Sequence, residues 1–352
     1  MNPKKALIGM SGGVDSSVAA LLMRQQGFSC MGVYMRLHSV PCGGANHSAD
    51  AEAVARKMGI PFQVLDFQDA FQENVIRPFI GSYESGLVPN PCIRCNRTMK
   101  FGALLDRGLE LGYHYVVTGH YARIRRDEES GRYLLYKAAD RAKDQTYFLA
   151  GLSQRQLSHI LFPLGQMTKE EVRGLAQDNG LLTAGKKDSQ DICFVPDGDY
   201  VAFMERYAGK TYPAGDFLDL SGNVVGKHRG AVAYTIGQRK GLGLAMGAPV
   251  YVCVKDMEQN TVTVGPNEAL FSKALRGCDW EWYPFPALTS PMAVTAKTRH
   301  SQTEQPAVVY PEENGFARVE FESPQRAITP GQAVVLYRGE LVIGGGTIAE
   351  VL

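Results

Sequence analysis

The sequence predicts an α/β protein: an N-terminal doubly wound parallel sheet, then a small β-rich central domain, then a C-terminal antiparallel β-barrel. Three observations predict it. Apolar runs of strand length alternate with helical stretches through about residue 200. A glycine-rich turn lies between the first strand and the first helix. Beyond it, short alternating runs recur roughly every ten residues between Gly and Pro turns. The expected domains are 1–200, 201–275 and 276–352.

Ala6-Leu7-Ile8 reads as a buried strand ending at Gly9. Residues 16–26 read as a helix, with Val18, Ala19, Leu21 and Leu22 on its apolar face and Gly27 at the position of a C′ glycine. A second buried strand is expected at 30–35, a helix at 49–58 and a third strand at 62–66. Helices near 70–83 and 97–111 precede a strand at 115–118, which ends at Gly119-His120. Two more helices, 147–160 and 168–179, lead to Lys186-Lys-Asp-Ser-Gln-Asp-Ile-Cys193. Further on, 218–225 and 250–264 read as hairpins around Ser-Gly-Asn and Glu-Gln-Asn turns. Strands at 293–297, 307–310, 317–321, 333–337 and 341–343 would build the barrel. Trp280-Glu-Trp-Tyr-Pro-Phe-Pro286 is expected at the join of the two β-rich parts. A parallel sheet covered on both faces binds ligands at the carboxyl ends of its strands. Gly9, Met35 and Gly119 fall at such ends and are expected to surround one nucleotide.

Composition narrows the class. The 352 residues are 45% apolar and 21% charged, ordinary for a soluble protein with ample core. No apolar run reaches membrane length, and the first residues lead into strand and loop, not into a signal peptide. Seven cysteines scattered over a large chain fit reduced thiols in a cytoplasm, so the Asn46 and Asn96 sequons are chance matches. With 37 basic against 36 acidic residues, any nucleic-acid surface must be local.

Gly9-Met10-Ser11-Gly12-Gly13-Val14-Asp15-Ser16 carries the most chemistry. Glycines let backbone N–H groups close on a phosphate, and a helix N-terminus adds partial positive charge. No Gly-Lys-Ser/Thr follows, so it is not the Walker loop. The same letters contain Gly9-x-Ser11-x-Gly13, the pattern of a hydrolase nucleophile elbow, but that elbow follows several strands and this one follows the first. A glycine turn without a ligand would not call for Asp15 and paired serines. The loop suits a pyrophosphate.

Cys92 and Cys95 sit in a proline-bounded polar loop, Asn90-Pro91-Cys92-Ile-Arg-Cys95. The C-x-x-C spacing alone leaves redox pair, half a zinc site and iron–sulfur ligation open. No second pair completes a tetrahedral zinc. Cys193 lies in a charged stretch, where Lys186 and Lys187 favour its thiolate. Cys30, Cys253 and Cys278 read as packed. Cys42, near His38 and His47, shows no regular ligand spacing.

The loop resembles the SGGxDS loop of the ATP pyrophosphatases, and nearly the whole chain resembles the bacterial-type tRNA-specific 2-thiouridylases. The resemblance rests on Gly9–Ser16, Pro89-Asn-Pro-Cys-Ile-Arg-Cys-Asn96, Val117-Thr-Gly-His-Tyr-Ala-Arg123 and Lys143-Asp-Gln-Thr-Tyr147. It continues through Asp188-Ser-Gln-Asp-Ile-Cys193, Gly237-Gln-Arg-Lys-Gly-Leu-Gly243, Lys297-Thr-Arg-His300 and Thr329-Pro-Gly-Gln332. It implies an adenine nucleotide alpha-hydrolase-like N-terminal domain and ATP, with Mg²⁺, as the activating reagent. The enzyme would adenylate the C2 oxygen of the wobble uridine of tRNA and replace it with sulfur.

By the same resemblance Cys193 carries a persulfide received from a sulfur-relay donor. Cys95 attacks it and leaves a Cys95–Cys193 disulfide. Asn90, Pro91 and Cys92 approach the target base, while His120, Lys143, Asp144, Gln145, Arg299, His300 and Gln332 contact tRNA. Acceptors for Lys, Glu and Gln are expected. Cys92 departs from the family pattern, which has Asp there, so a [4Fe–4S] cluster on Cys92, Cys95 and Cys193 is the alternative sulfur source. Arg123, Arg125 and Arg126 are a candidate phosphate patch, against a solvated strand end beside Asp127 and Glu128. Rival enzymes fit less well: GMP or asparagine synthetase needs a glutaminase domain, and lysidine synthetase lacks the two thiol motifs. An RNA-binding barrel protein without catalysis needs no phosphate loop.

Overall fold

The computed structural model describes residues 3–38, 47–181 and 192–352. Cys42 and Lys186, Lys187, Asp188, Ser189, Gln190 and Asp191 lie outside the described residues. The chain opens with β1 (Lys5–Gly9), α1 (Val14–Gln25), β2 (Ser29–Arg36), α2 (His47–Met58) and β3 (Phe62–Asp66). Two long helices follow, α3 (68–84) and α4 (91–110), each with a wider π-type stretch, Gln72–Ile76 and Asn96–Ala103. Then come β4 (Tyr115–Val117), β5 (Arg123–Arg126), β6 (Tyr133–Tyr136), α5 (Thr146–Leu149), α6 (Gln154–Leu157), β7 (Ile160–Leu161), α7 (Lys169–Asp178) and α8 (Tyr200–Ala208).

Five parallel strands form one sheet in the order β3-β2-β1-β4-β7. Successive residues of β1 serve opposite faces. Ala6 and Ile8 join α1, α2 and α7 through Val18, Val54 and Val172, and Leu7 joins α4 through Phe101, Leu104 and Leu105. A strand hidden on both sides must be apolar at every position, which is why it reads as an unbroken run. Helix α2 buries Ala51, Val54, Ala55 and Met58, one stripe at helical spacing.

Two sequence expectations need correction. The helix expected at 147–160 is two short helices followed by a strand. Ser153 caps α6, its hydroxyl accepting from Gln156 N while the Gln156 side chain accepts from Ser153 N. That reciprocal cap restarts the chain in a new direction, and Ile160 enters the sheet as its fifth strand. The Gln156 amide also donates to the carbonyls of Arg97 and Phe101, at 2.7 and 2.8 Å, inside the wide stretch of α4. Carbonyls left over by i→i+5 pairing thus find a donor on α6. Similarly, Trp280 and Trp282 are not at a join: they stack 4.8 Å apart within the barrel strand β12 (Phe271–Trp282).

The central sheet contains β8 (Gly215–Leu218), β9 (Val224–His228), β10 (Tyr251–Asp256) and β11 (Thr261–Gly265), in the order β10-β11-β8-β9 around Phe217, Val252 and Val262. The C-terminal strands are β12, β13 (Met292–Lys297), β14 (Gln305–Pro311), β15 (Ala317–Arg326), β16 (Ala333–Arg338) and β17 (Leu341–Val351). They run β12-β15-β14-β13-β16-β17, and β17 pairs back onto β12 to close the barrel. Hairpin β5–β6, unforeseen in the sequence, adds to this sheet through Tyr136 opposite Leu341. Its turn is set by Asp127, whose carboxylate accepts from Ser130 N at 2.9 Å.

Lys255, on β10, buries its Nζ without a hydrogen-bond partner, and burial pushes its pKa down from 10.5 to about 8. Below pH 8 the fold must hold an ammonium away from water, and unfolding relieves that cost. Lys255→Met is therefore expected to stabilise the protein at pH 7 by ~1–3 kcal/mol. The gain should shrink between about pH 8 and 10.5 as Lys255 itself loses its proton; urea titrations at pH 7 and pH 10 measure both.

Candidate active site: the phosphate loop and the thiol helix

The order of the sheet reverses between β1 and β4, and the crevice outside their carboxyl ends is the ligand position of such folds. The glycine loop leaves β1 there. Ser11 N donates to Ser16 Oγ at 3.1 Å, and Ser16 and Ser17 hydroxyls donate to Gly13 O at 3.1 and 2.8 Å, so the loop folds back on the first turn of α1. Gly12 has φ +74°, and a Cβ there would strike the His47 carbonyl. Gly119 is required by contact, not by φ. Its Cβ would lie 2.6 Å from Asp15 C and 2.7 Å from Ser16 N. The segment after β4 thus rests directly on the loop, which puts Gly9, Asp15, Ser16 and Gly119 in one place. Met35 lies near the end of β2, half-buried and packed against both α4-side clusters.

Asp15 is held by two residues that the sequence did not suggest. Lys169 Nζ lies 2.8 Å from each carboxylate oxygen, and Tyr121 OH donates to Oδ1 at 2.9 Å. Lys169 opens α7 beside its cap Thr168, whose hydroxyl accepts from Glu171 N, and its own N–H donates to Asp140 at 3.0 Å. Its ammonium is nearly hidden. A cation from α7 thus sits beside the glycine loop, bound to its carboxylate. Nothing in the sequence joined Asp15 to a residue 154 positions away; the one local sign was the Thr168–Glu171 capping box.

The thiol helix α4 begins at Asn90, whose side-chain oxygen accepts from Ile93 N at 3.3 Å, and Pro91 takes the first turn, where no N–H is missed. Cys92 and Cys95 are one turn apart, Cys92 exposed and Cys95 buried. Burial pushes the Cys95 thiol up, and Lys100, further along α4, opposes it. Cys193 is exposed. The residue after it, Phe194, packs with Phe71 and Phe79 in the apolar cluster that also contains Cys95. Among the described residues, Cys92, Cys95 and Cys193 included, no three His, Cys, Asp or Glu side chains gather as a metal-binding group.

Residues expected at the RNA mostly have partners inside the protein. His120 packs between Phe101 and Phe162, both 5.7 Å away, with Nδ1 2.7 Å from Thr118 Oγ1. Lys143 donates its N–H to Asp140 O. Asp144 accepts from Ala138 N and Thr146 Oγ1, and Gln145 accepts from Tyr121 N at 2.9 Å. One Arg299 nitrogen donates to Arg326 O and Ala327 O, both at 2.8 Å. His300 stacks on Phe148 at 4.4 Å and lines a cavity of about 270 Å³ with Lys137, Arg141, Asp144, Lys297 and Glu304. Gln332 donates to Val88 O. In the arginine patch, Arg123 bonds Lys137 O and Glu340, whereas Arg125 and Arg126 are exposed and Arg125 covers the Tyr136 ring.

A parallel sheet with a phosphate loop at its switch point, a cysteine-bearing helix beside it and two appended β units defines a nucleotide-dependent class of three-part chains. Its parts match three family descriptions: "tRNA methyl transferase HUP domain" over residues 4–197, "tRNA methyl transferase PRC-barrel domain" over 201–266 and "Aminomethyltransferase beta-barrel domain" over 272–348. The tRNA-specific 2-thiouridylase MnmA of Acetivibrio thermocellus is 48% identical over 99% of this chain and 100% of its own. That of Heliobacterium modesticaldum is 49% identical over 98% and 92%, and that of Clostridium perfringens 46% identical over the whole of both. The chain belongs to the tRNA-specific 2-thiouridylase family. No helix among the described residues is long and apolar enough to cross a membrane.

Two predictions follow from these contacts. Lys169→Ala leaves the Asp15 carboxylate without its cation, and ATP affinity is expected to fall at least tenfold while tRNA affinity holds; equilibrium binding of each ligand checks this. His120, His228 and His300 are all lowered from 6.5 chiefly by burial, His120 most. The unfolded chain binds more protons below that value than the fold does, so stability should drop as pH falls through about 6.5. His120→Gln should flatten the dependence of melting temperature on pH between about 5 and 7.

Proposed function

We propose that this protein thiolates C2 of the wobble uridine of tRNA, with ATP as the activating reagent. The observation that carries it is the phosphate loop at the switch point next to a helix with two thiols, in a chain related over its full length to 2-thiouridylases. The loop from Gly9 to Ser16, with Met35 and Gly119, receives the nucleotide. Asp15 is the carboxylate suited to Mg²⁺, whose part is to screen the phosphates. The uracil C2 oxygen attacks the α-phosphorus, the bond to the bridging oxygen breaks, and pyrophosphate leaves. A poor leaving oxygen has become AMP.

Sulfur then enters through two thiols. Cys193, exposed, takes a sulfane sulfur from a donor protein as a persulfide. Cys95 attacks the inner sulfur, forming the Cys95–Cys193 disulfide and releasing hydrosulfide, which adds to C2 and expels AMP. A thiol reductant restores both cysteines. This route needs only two thiols and fits an arrangement in which Cys92, Cys95 and Cys193 are not gathered as ligands. Asn90, Pro91 and Cys92 face the splayed base. His120, Lys143, Asp144, Gln145, Arg299, His300 and Gln332 lie at or behind the RNA surface, with acceptors for Lys, Glu and Gln as the substrate set. The working compartment is the cytoplasm, and the functional units are 1–200, 201–275 and 276–352.

Incubating iron-free protein with ATP, Mg²⁺, unmodified tRNA and a persulfide donor should give 2-thiouridine at the wobble position. Cys193→Ser and Cys95→Ser should each lower it at least 100-fold while tRNA-dependent pyrophosphate release continues. Cys92→Ala should retain most activity. Thiolation that requires iron and Cys92 would overturn the two-thiol route, and thiolation at another nucleoside would overturn the substrate.

A further inference from the structure

The turn between β15 and β16 reaches out of the barrel onto the chain that leads into α4. Val88 N donates to Pro330 O at 2.9 Å, and Gln332 Nε2 donates to Val88 O at 2.8 Å. Both backbone groups of Val88 are therefore taken by one barrel turn. The turn is itself fixed to β17, since Gly331 N donates to Ile348 O and Ile348 N to Gln332 O, each at 2.8 Å. Gly331 has φ +89°, and a Cβ there would lie 2.8 Å from Val88 N and 2.9 Å from Leu87 Cβ. Val88 is buried in the same apolar cluster as Cys95. Two residues beyond it, Asn90 caps α4, and Pro91, Cys92 and Cys95 follow within the helix.

We propose that this turn is a clamp that sets the entry of the thiol helix, and that Gly331 and Gln332 are positioning residues for sulfur insertion. Their influence on the reaction rests on the proposed function above; the clamp itself does not. A chain segment whose N–H and C=O are both bonded to a closed barrel cannot pivot about Val88, and small angular errors at a cap grow along the helix it starts. Chemistry at two thiols and a base tolerates little of that, because reacting atoms must meet at near-bonding distance. Through Val88 the Gln332 side chain thus acts on the entry of the thiol helix.

Gly331→Ala and Gln332→Glu in the full chain test the clamp. Alanine keeps the Gln332 amide but needs a left-handed φ and intrudes on Val88; glutamate removes the donor and faces a carbonyl with a charge. Each should speed amide hydrogen exchange across 87–95 at least tenfold. Each should also slow single-turnover thiolation at saturating tRNA at least tenfold, with ATP affinity within twofold of the parent. Should Gly331→Ala fail to fold, Gln332→Glu carries the same readings. Unchanged exchange together with weakened tRNA binding would make Gln332 an RNA contact and overturn the clamp. Faster exchange with an unchanged thiolation rate would overturn its part in the reaction. An unmodified parent product would count against the proposed function alone, because the exchange reading stands apart from activity.

Discussion

The pairing of Asp15 with Lys169 and Tyr121 is the contact on which the catalytic unit depends. It ties three segments distant in sequence: the first turn of α1, the chain leaving β4, and the first turn of α7. Their meeting closes the sheet's switch point around the glycine loop, and Gly119 pressed against the Asp15 backbone completes the fit. A partly hidden ion pair is an expensive tie, since either charge left alone loses its water without recompense. The position explains why it is used. It places the Lys169 ammonium at the first turn of α1, beside the glycine loop that the proposed function gives to the nucleotide phosphates.

The barrel is built into the catalytic unit, not hung from it. Arg132, in the β5–β6 hairpin, donates to Trp282 O and Tyr283 O, both at 2.7 Å. Tyr283 OH donates to Leu149 O, and Tyr147 OH to Ala333 O. One apolar cluster holds Leu7 of the parallel sheet together with Val335 and Val342 of the barrel. Of the residues that resemblance assigns to RNA, Gln332 bonds across this seam to Val88 O and His300 packs across it on Phe148. A seam tied in this way holds the barrel and the catalytic unit at one fixed angle.

How far the sequence could be read follows from where the information lies. The parallel sheet was legible because its strands are buried on both faces and so appear as apolar runs, and the loop because glycines and hydroxyls cluster between strand and helix. The barrel was legible from period-two runs between turns. The helix expected at 147–160 failed because its apolar spacing is real, while the break comes from a cap at Ser153 and from Gln156 serving a neighbouring helix. Hairpin β5–β6 was missed because Arg-Ile-Arg-Arg is half solvated, and its partner β6 in turn meets β17 only about 200 residues later. Lys169 and Tyr121 were missed for the same reason: a charge pair across the fold leaves no local trace. What the sequence hides is long-range pairing of polar groups.

The thiols show what that hidden layer does for chemistry. The C-x-x-C spacing read alone leaves redox pair, half a zinc site and iron–sulfur ligation open. The fold adds what spacing cannot: burial raises the Cys95 thiol, with Lys100 the charge that opposes it. A buried Cys95 favours its thiol over its thiolate, and the thiol is the weaker nucleophile and metal ligand. Cys193 is exposed while Cys95 is buried, and one apolar cluster joins Phe194 to Cys95. Under the proposed two-thiol route the clamp at Val88 then has a physical purpose, because a buried thiol can reach its target only if the helix that carries it is held at one angle.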